Sequence, residues 1–387
     1  MKNNIVFLGV TDNYPLMFSA NNSKNGLIAK VLMKEGHSVT IINNILGFRG
    51  LKSKYRYSTE GEINAYIFPE KGLVQIWKNL LDLYRILNEN YNNNRSNYIF
   101  IGYTYFPLFL LNVLYAKILN YKTIVLITEW HLFFENVNLL RKIDYFLFDK
   151  FFGYFVDGIL PISKYILNKV IHFRKPILII PILADFSQSK MNRNLGISST
   201  NRYFLYCGNV VYFPVIDFII RSYKLFSNKG GDSKLYLILS GPLEGFIKVN
   251  QLIKELNLFA DINILSNLSH CELTFYYENA LALLIPLRQK KQDTARFPHK
   301  IGEYLASGRP IITGNVGEVG RHFEHKVNAF LAAEYTPEAY SAIMKIIERN
   351  ISMANKVGEN GRRLGINKFN FENYGELISN FLKYNLA

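Results

Sequence analysis

Short runs of Val, Ile and Leu alternate with helix-length segments along this chain, and the alternation runs twice. In the first half I-V-F-L-G (5–9), S-V-T-I-I-N (38–43), Y-I-F-I-G-Y (98–103), K-T-I-V-L-I-T (122–128) and D-G-I-L-P-I (157–162) read as strands, and I-L-I-I-P-I (177–182) closes the set. A helix is expected between the first two, near Asn25–Glu35, ending at Gly36. After an Asn- and Ser-rich stretch at 188–202 the pattern resumes with Y-F-L-Y-C-G (203–208), K-L-Y-L-I-L-S-G (234–241), I-N-I-L (262–265), A-L-A-L-L-I-P (280–286) and R-P-I-I-T-G (309–314). Near-continuous apolar strands separated by helices specify parallel sheets covered on both faces. The expected fold is therefore α/β, with a Rossmann-like domain over 1–190 and a second over 200–365. Residues 366–387 are expected to form a helix packing back on the first domain. Tandem domains of this kind imply a cleft, and ligands of such sheets lie outside the carboxyl ends of the strands.

Composition narrows the partners. A chain of 387 residues suits two domains, and 49% hydrophobic with 19% charged residues suits packed cores. The net charge of +15 favours an anionic partner, either a phosphorylated small molecule or an anionic membrane surface. Nucleic acid is not expected: there is no zinc-finger spacing and no basic heptad region, and the basic cluster Arg288–Lys291 is short and interrupted by Gln289. Two cysteines, Cys207 and Cys271, are too few for a disulfide framework or a four-ligand zinc site. Both read as core residues in a reducing cytosol. The N-terminal M-K-N-N-I-V-F-L-G-V does not read as a signal peptide, and Phe106–Leu119 is too short to span a bilayer. The expected location is cytoplasmic, with or without peripheral contact on the inner face of the cell membrane.

The segment R-F-P-H-K-I-G-E-Y-L-A-S-G-R-P-I-I-T (296–313) carries the chemistry. Pro298 suits the first turn of a helix, Gly308 a left-handed C-terminal position, and Pro310 blocks continuation. Ile301, Tyr304 and Leu305 would face inward, with Lys300 and Glu303 on a neighbouring face. Unpaired N–H groups at the helix start suit a diphosphate, with Arg296 and Lys300 adding cations. Glu303 is placed to accept hydrogen bonds from ribose hydroxyls. An exposed helix with an ordinary Lys–Glu pair explains these residues about as well.

The same segment resembles the donor-binding motif of the retaining GT-B glycosyltransferases of family four. Y-C-G-N-V-V-Y-F-P (206–214) is similar to the glycine turn that opens that family's second domain, and L-S-G-P (239–242) to its Val-Gly-x-Gly segment. V-G-E-V-G-R-H-F-E-H-K-V-N-A-F (316–330) is similar to the family's Gly-rich run. The resemblance covers Tyr203 to about Phe330 and only the outline of the first domain. It implies transfer of a sugar from a nucleotide-diphosphate donor to a glycan or lipid-linked acceptor, with retention, in bacterial surface polysaccharide assembly. The implied donor-binding residues are Gly208, Asn209, Gly241, Pro242, Arg296, Phe297, Pro298, Lys300 and Glu303. The donor is a UDP-, GDP- or dTDP-sugar co-substrate, and no separate cofactor is expected.

Two departures stand out. Ala295 occupies the position of the family's first glutamate, eight residues before Glu303. The Arg/Lys pair expected after the first glycine is missing, since Gly208 is followed by N-V-V-Y-F-P-V, and Arg296 with Lys300 would replace it. No Asp-x-Asp occurs, so no metal–diphosphate clamp is expected and no residue is assigned to a metal.

On the acceptor side, the polar stretch 11–25 offers Asn21, Asn22 and Lys24 to sugar hydroxyls or a phosphate, although Asx-turns and a helix cap account for them equally. Glu129 and His131, in T-E-W-H (128–131) directly after a strand, are the catalytic candidates, since related enzymes often place a polar residue or histidine there. A lone histidine is more often structural. The basic, aromatic segment 139–155 reads either as a membrane-resting face or as an amphipathic core helix. A sugar-nucleotide epimerase of the same architecture and a catalytically idle nucleotide-sugar-binding protein are the rival functions.

Overall fold

The computed structural model describes residues 2–11, 14–15, 20–47, 55–58, 63–70, 72–135, 137–187 and 202–386. They divide into two units. The first comprises Met1–Leu183, Ala295–His299 and Phe371–Ala387, and the second Ala184–Thr294 with Lys300–Asn370. Most of the linker, 188–201, lies outside the described residues.

The first unit runs β1 (Asn4–Leu8), α1 (Ala20–Lys34), β2 (Ser38–Ile42), β3 (Tyr55–Ser58), β4 (Asn64–Ile67), α2 (Leu73–Glu89), β5 (Asn97–Ile101), α3 (Phe106–Ile118), β6 (Lys122–Ile127), α4 (Leu139–Phe155), β7 (Gly158–Pro161) and α5 (Lys164–Val170). Its seven strands lie in the order β3-β4-β2-β1-β5-β6-β7. Every pairing is parallel except β3 with β4. All five residues of β1 and of β5 are buried, which is why, after the leading Asn4 and Asn97, these strands read as apolar runs. The sheet order reverses between β1 and β5, the kind of point beside which α/β sheets bind ligands.

The second unit runs β8 (Tyr203–Asn209), α6 (Phe213–Asn228), β9 (Lys234–Ser240), α7 (Leu243–Glu255), β10 (Ile262–Leu265), α8 (His270–Asn279), β11 (Ala282–Ile285), α9 (Lys291–Ala295), α10 (Lys300–Ser307), β12 (Ile311–Gly314), α11 (Val319–His322), β13 (Phe330–Ala332), α12 (Pro337–Arg349) and α13 (Ile351–Phe369). Its strands, all parallel, lie in the order β10-β9-β8-β11-β12-β13, with the reversal between β8 and β11. Local chemistry sets the helix starts: Ser269 and Glu272 form a capping box on α8, and Thr336 and Asn350 cap α12 and α13. The last helix, α14 (Gly375–Asn385), returns to the first unit, where Ile378, Phe381 and Leu382 share one buried cluster with Ile28 and Leu32 of α1.

Several expectations need correction. I-L-I-I-P-I (177–182) is not a strand: it follows β7 through one isolated bridge, Ile177 to Ile159, and Pro181 has no N–H to continue a ladder. The short strands β3, β4 and β13 carry too little periodicity to be legible in sequence. Helix α1 begins at Ala20, so Asn21, Asn22 and Lys24 stand on a helix rather than in a loop. Helix α10 begins at Lys300, which leaves Pro298 before it rather than in its first turn. Cys271 is exposed on α8, not in the core, whereas Cys207 is buried.

Candidate functional site

In the second unit the ends of two neighbouring parallel strands and the start of one helix converge. Gly208 pairs in register with Leu239, and Asn209 with Ser240, so the chain turns leaving β8 and β9 lie side by side. Asn209 accepts the Val211 N–H at 3.0 Å and its amide reaches Ser240 Oγ at 3.4 Å. Gly241 follows with φ of +123°, and a Cβ there would sit 2.6 Å from Asn209 Oδ1, so both conformation and space require glycine. Gly241 and Pro242 are exposed, while Gly208 and Asn209 are half-buried.

Helix α10 is tied to this strand end. Tyr304 is fully buried and its hydroxyl accepts the Cys207 N–H at 3.1 Å. Ile301 and Leu305 are buried beside it, as their spacing predicts, and Tyr304 meets the Tyr277 ring edge-on at 5.1 Å. Gly308, at φ +73°, closes the helix in the left-handed region. With its inner face anchored, α10 presents Lys300 and Glu303 at the β8 terminus.

Lys300 Nζ donates to Cys207 Sγ at 3.1 Å. Burial alone would lower the Lys300 pKa, but the electrostatic interactions with Cys207 and Glu303 and the hydrogen bond to Cys207 outweigh it and raise it, so the side chain is a firm cation. Glu303 is half-buried, and among the described residues its buried Oε2 has no hydrogen-bond partner. A buried carboxylate oxygen left without a donor is uncommon, and it is an acceptor open to a water or a ligand hydroxyl. Sequence reasoning did not connect Cys207 to Lys300, because its only local signal is an apolar strand.

Arg296, Phe297 and Pro298 fall in the short stretch 295–299 that groups with the first unit. There the Ala295 carbonyl accepts from Ser163 Oγ at 2.5 Å, Phe297 is buried, and Arg296 and Pro298 are half-buried. Nearby in sequence, Arg288 is held by the fully buried Asp293 through its backbone N–H (2.8 Å) and Nε (3.0 Å).

In the first unit, His131 follows β6 and is buried. Its Nδ1 lies 2.8 Å from Asp149 Oδ1, and Asp149 Oδ2 accepts the Leu132 N–H at 2.8 Å. Tyr103 stacks on the imidazole with centroids 4.0 Å apart, and the Phe148 ring meets it edge-on at 5.2 Å. The Tyr103 hydroxyl donates to Asp144 Oδ2 at 2.5 Å, and Asp144 Oδ1 accepts the Phe106 N–H at 2.7 Å. Asp144 and Asp149 were missed in sequence, although two carboxylates inside D-Y-F-L-F-D-K-F-F (144–152) are the signal that finds them. Glu129 is half-buried. Asn22 and Lys24 are buried, and Lys24 Nζ donates to the Ile180 carbonyl at 3.2 Å. Burial pushes the Lys24 amine down to about 7, so it is a much weaker cation than its sequence suggests. The Asn21 side chain lies outside the described part of the structure.

Helix α4 has two faces. Tyr145, Phe148 and Phe152 are buried, whereas Leu139, Leu140, Ile143 and Phe146 are exposed. Among the described residues no helix is long and apolar enough to cross a membrane.

Residues 187–364 match the family model described as glycosyl transferases group 1. No curated protein matches the chain in sequence. Among solved structures, sucrose-phosphate synthase from Thermosynechococcus elongatus superposes with a TM-score of 0.76 at 13% identity, covering 99% of this chain and 98% of that one. A glycosyltransferase from Rickettsia africae gives 0.70 at 16% identity, covering 99% of each chain. Anabaena HepE in complex with UDP and glucose gives 0.72 at 12% identity, covering 99% of this chain and 100% of that one. At these identities the likeness establishes the fold, which is GT-B.

Proposed function

We propose that this GT-B chain, whose residues 187–364 match the model of the group 1 glycosyl transferases, moves a sugar from a nucleotide-diphosphate donor to a glycan or lipid-linked acceptor, with retention at the anomeric carbon. The observation that carries the donor assignment is Glu303 Oε2, buried without a donor among the described residues, beside Lys300 at the start of α10. A ribose diol supplies the missing hydroxyl donors, and Lys300 with the free N–H groups of the helix start takes the diphosphate. Gly208, Asn209, Gly241 and Pro242 would let the donor approach the backbone closely. Arg296, four residues before Lys300, is the second cation in this reading.

Chemically, the anomeric carbon–phosphate oxygen bond breaks and a bond to the acceptor hydroxyl oxygen forms on the same face. The hydroxyl proton passes to the departing phosphate oxygen, so no pair of carboxylates in glycosidase roles is required. Lys300 and the helix N–H groups stabilise the charge that develops on the leaving group. Glu129 and His131 serve the reacting sugar, and Asn21, Asn22 and Lys24 lie on the acceptor side. The biological setting in this reading is surface polysaccharide assembly on the inner face of the cell membrane.

Two measurements test this. UDP is the first nucleotide to try, since HepE was solved with it. Glu303→Gln is expected to weaken UDP binding about tenfold in calorimetry, the worth of one charge-assisted hydrogen bond, and unchanged affinity refutes the ribose contact. Incubation with UDP-, GDP- and dTDP-sugars, following nucleotide release with and without acceptor, separates transfer from epimerisation. For the membrane, the exposed Leu139, Leu140, Ile143 and Phe146 beside Arg141 and Lys142 predict flotation with anionic liposomes and none with neutral ones. Equal recovery in both removes the membrane role.

A further inference from the structure

We infer that Asp149 is a positioning residue that assigns the two nitrogens of His131, keeping the proton on Nδ1 and turning the Nε2 lone pair toward a sugar hydroxyl. The inference rests on the reading of His131 as serving the reacting sugar. Asp149 is 1% exposed and makes two contacts, Oδ1 to His131 Nδ1 at 2.8 Å and Oδ2 to the Leu132 N–H at 2.8 Å. An ionised carboxylate only accepts hydrogen bonds. The nitrogen facing it must therefore carry the proton, and in the neutral ring Nε2 is left as acceptor.

The arrangement also fixes the ring in space. Tyr103 covers one face at 4.0 Å, and Phe148, Tyr145 and Phe134 surround it at 5.2, 5.5 and 5.9 Å. Tyr103 is held in turn by Asp144, whose other oxygen is pinned to the Phe106 N–H at the start of α3. Both carboxylates come from α4 and each takes one backbone N–H, so the imidazole is oriented by main chain on two sides. A ring flip would set the Cδ2 carbon against Asp149 and lose a buried charge-assisted hydrogen bond. An acceptor nitrogen held this firmly fits a hydroxyl donor, the group every sugar carries.

The Leu132 N–H makes Asp149→Asn a sharp test. That N–H still needs an acceptor, so the amide oxygen stays on Leu132 and the amide NH2 turns to Nδ1. The ring proton must then move to Nε2, which changes from acceptor to donor facing the sugar hydroxyl. Nitrogen NMR of protein labelled in its seven histidines, with His131→Gln to assign the signal, reads the tautomer directly. The wild type is expected as Nδ1–H and D149N as Nε2–H. With the fold intact by circular dichroism and UDP affinity unchanged, D149N should lower kcat about 10- to 100-fold, the effect of mispairing one buried hydrogen bond. Donor hydrolysis without acceptor falling in parallel places the hydroxyl on the donor, and transfer falling alone places it on the acceptor. A wild-type Nε2–H tautomer, or a D149N protein with wild-type tautomer and kcat, overturns the inference. The wild-type spectrum decides the tautomer even if D149N fails to fold or no donor turns over, so failure here and failure of the transfer reading are distinguishable.

Discussion

Lys300→Met is expected to weaken nucleoside diphosphate binding about 10- to 100-fold while leaving the fold intact, because one charge-assisted contact to a phosphate contributes roughly 1.5–3 kcal/mol. Methionine keeps an unbranched apolar stem of similar length and removes the charge together with the Nζ contact to Cys207 Sγ. Helix α10 does not depend on Lys300 for its place, since Tyr304, Ile301 and Leu305 hold it from the buried side. Calorimetry with UDP and with uridine separates the effects: the loss should be confined to the diphosphate, with uridine binding little changed. Because the Lys300 pKa is raised above its ordinary value, the loss should also be flat across neutral pH. The Arg296→Ala variant makes a companion test, and wild-type UDP affinity in both would remove the two cations as phosphate ligands.

Phe148→Ala is expected to destabilise the first unit by about 3–5 kcal/mol, the usual range for emptying a fully buried aromatic site. Phe148 has no exposure and touches four rings: Phe152, Phe109, Tyr103 and His131, at 5.2, 5.1, 4.9 and 5.2 Å. The cavity would open directly beneath the imidazole, so turnover should fall in the fraction that remains folded. Both tryptophans, Trp77 and Trp130, belong to the first unit. Their fluorescence therefore follows that unit's unfolding in denaturant without interference from the second. A midpoint within error of the wild type would show that Phe148 is not needed to fill the aromatic box.

These two sites were unequally legible. The α10 motif is compact: its apolar spacing, closing glycine and following proline lie within one stretch of chain, and each acts through local backbone geometry. Even so, the position of Pro298 misled, because a proline two residues before a helix fits the local rules as well as one inside it. Lys24 misled for the opposite reason. Its neighbours in sequence are polar, but the helix it stands on turns it against the Ile180 carbonyl, more than 150 residues away in the chain. Cys271 misled by residue type alone: cysteine is usually buried, but its neighbours Ser269, His270 and Glu272 are polar and it is exposed on α8.

The amino-acid sequence by itself determined two largely parallel sheets, their central strands and the helix bearing Lys300 and Glu303. Those features follow from periodicity and chain punctuation over a few residues. Only the tertiary structure decided that Lys300 meets Cys207, that Asp149 faces Nδ1 of His131, and that residues 295–299 group with the first unit. The physical reason is that such pairings depend on how distant segments pack. A strand residue at 207 and a helix residue at 300 carry no mutual signal until the sheet and helix are assembled around Tyr304.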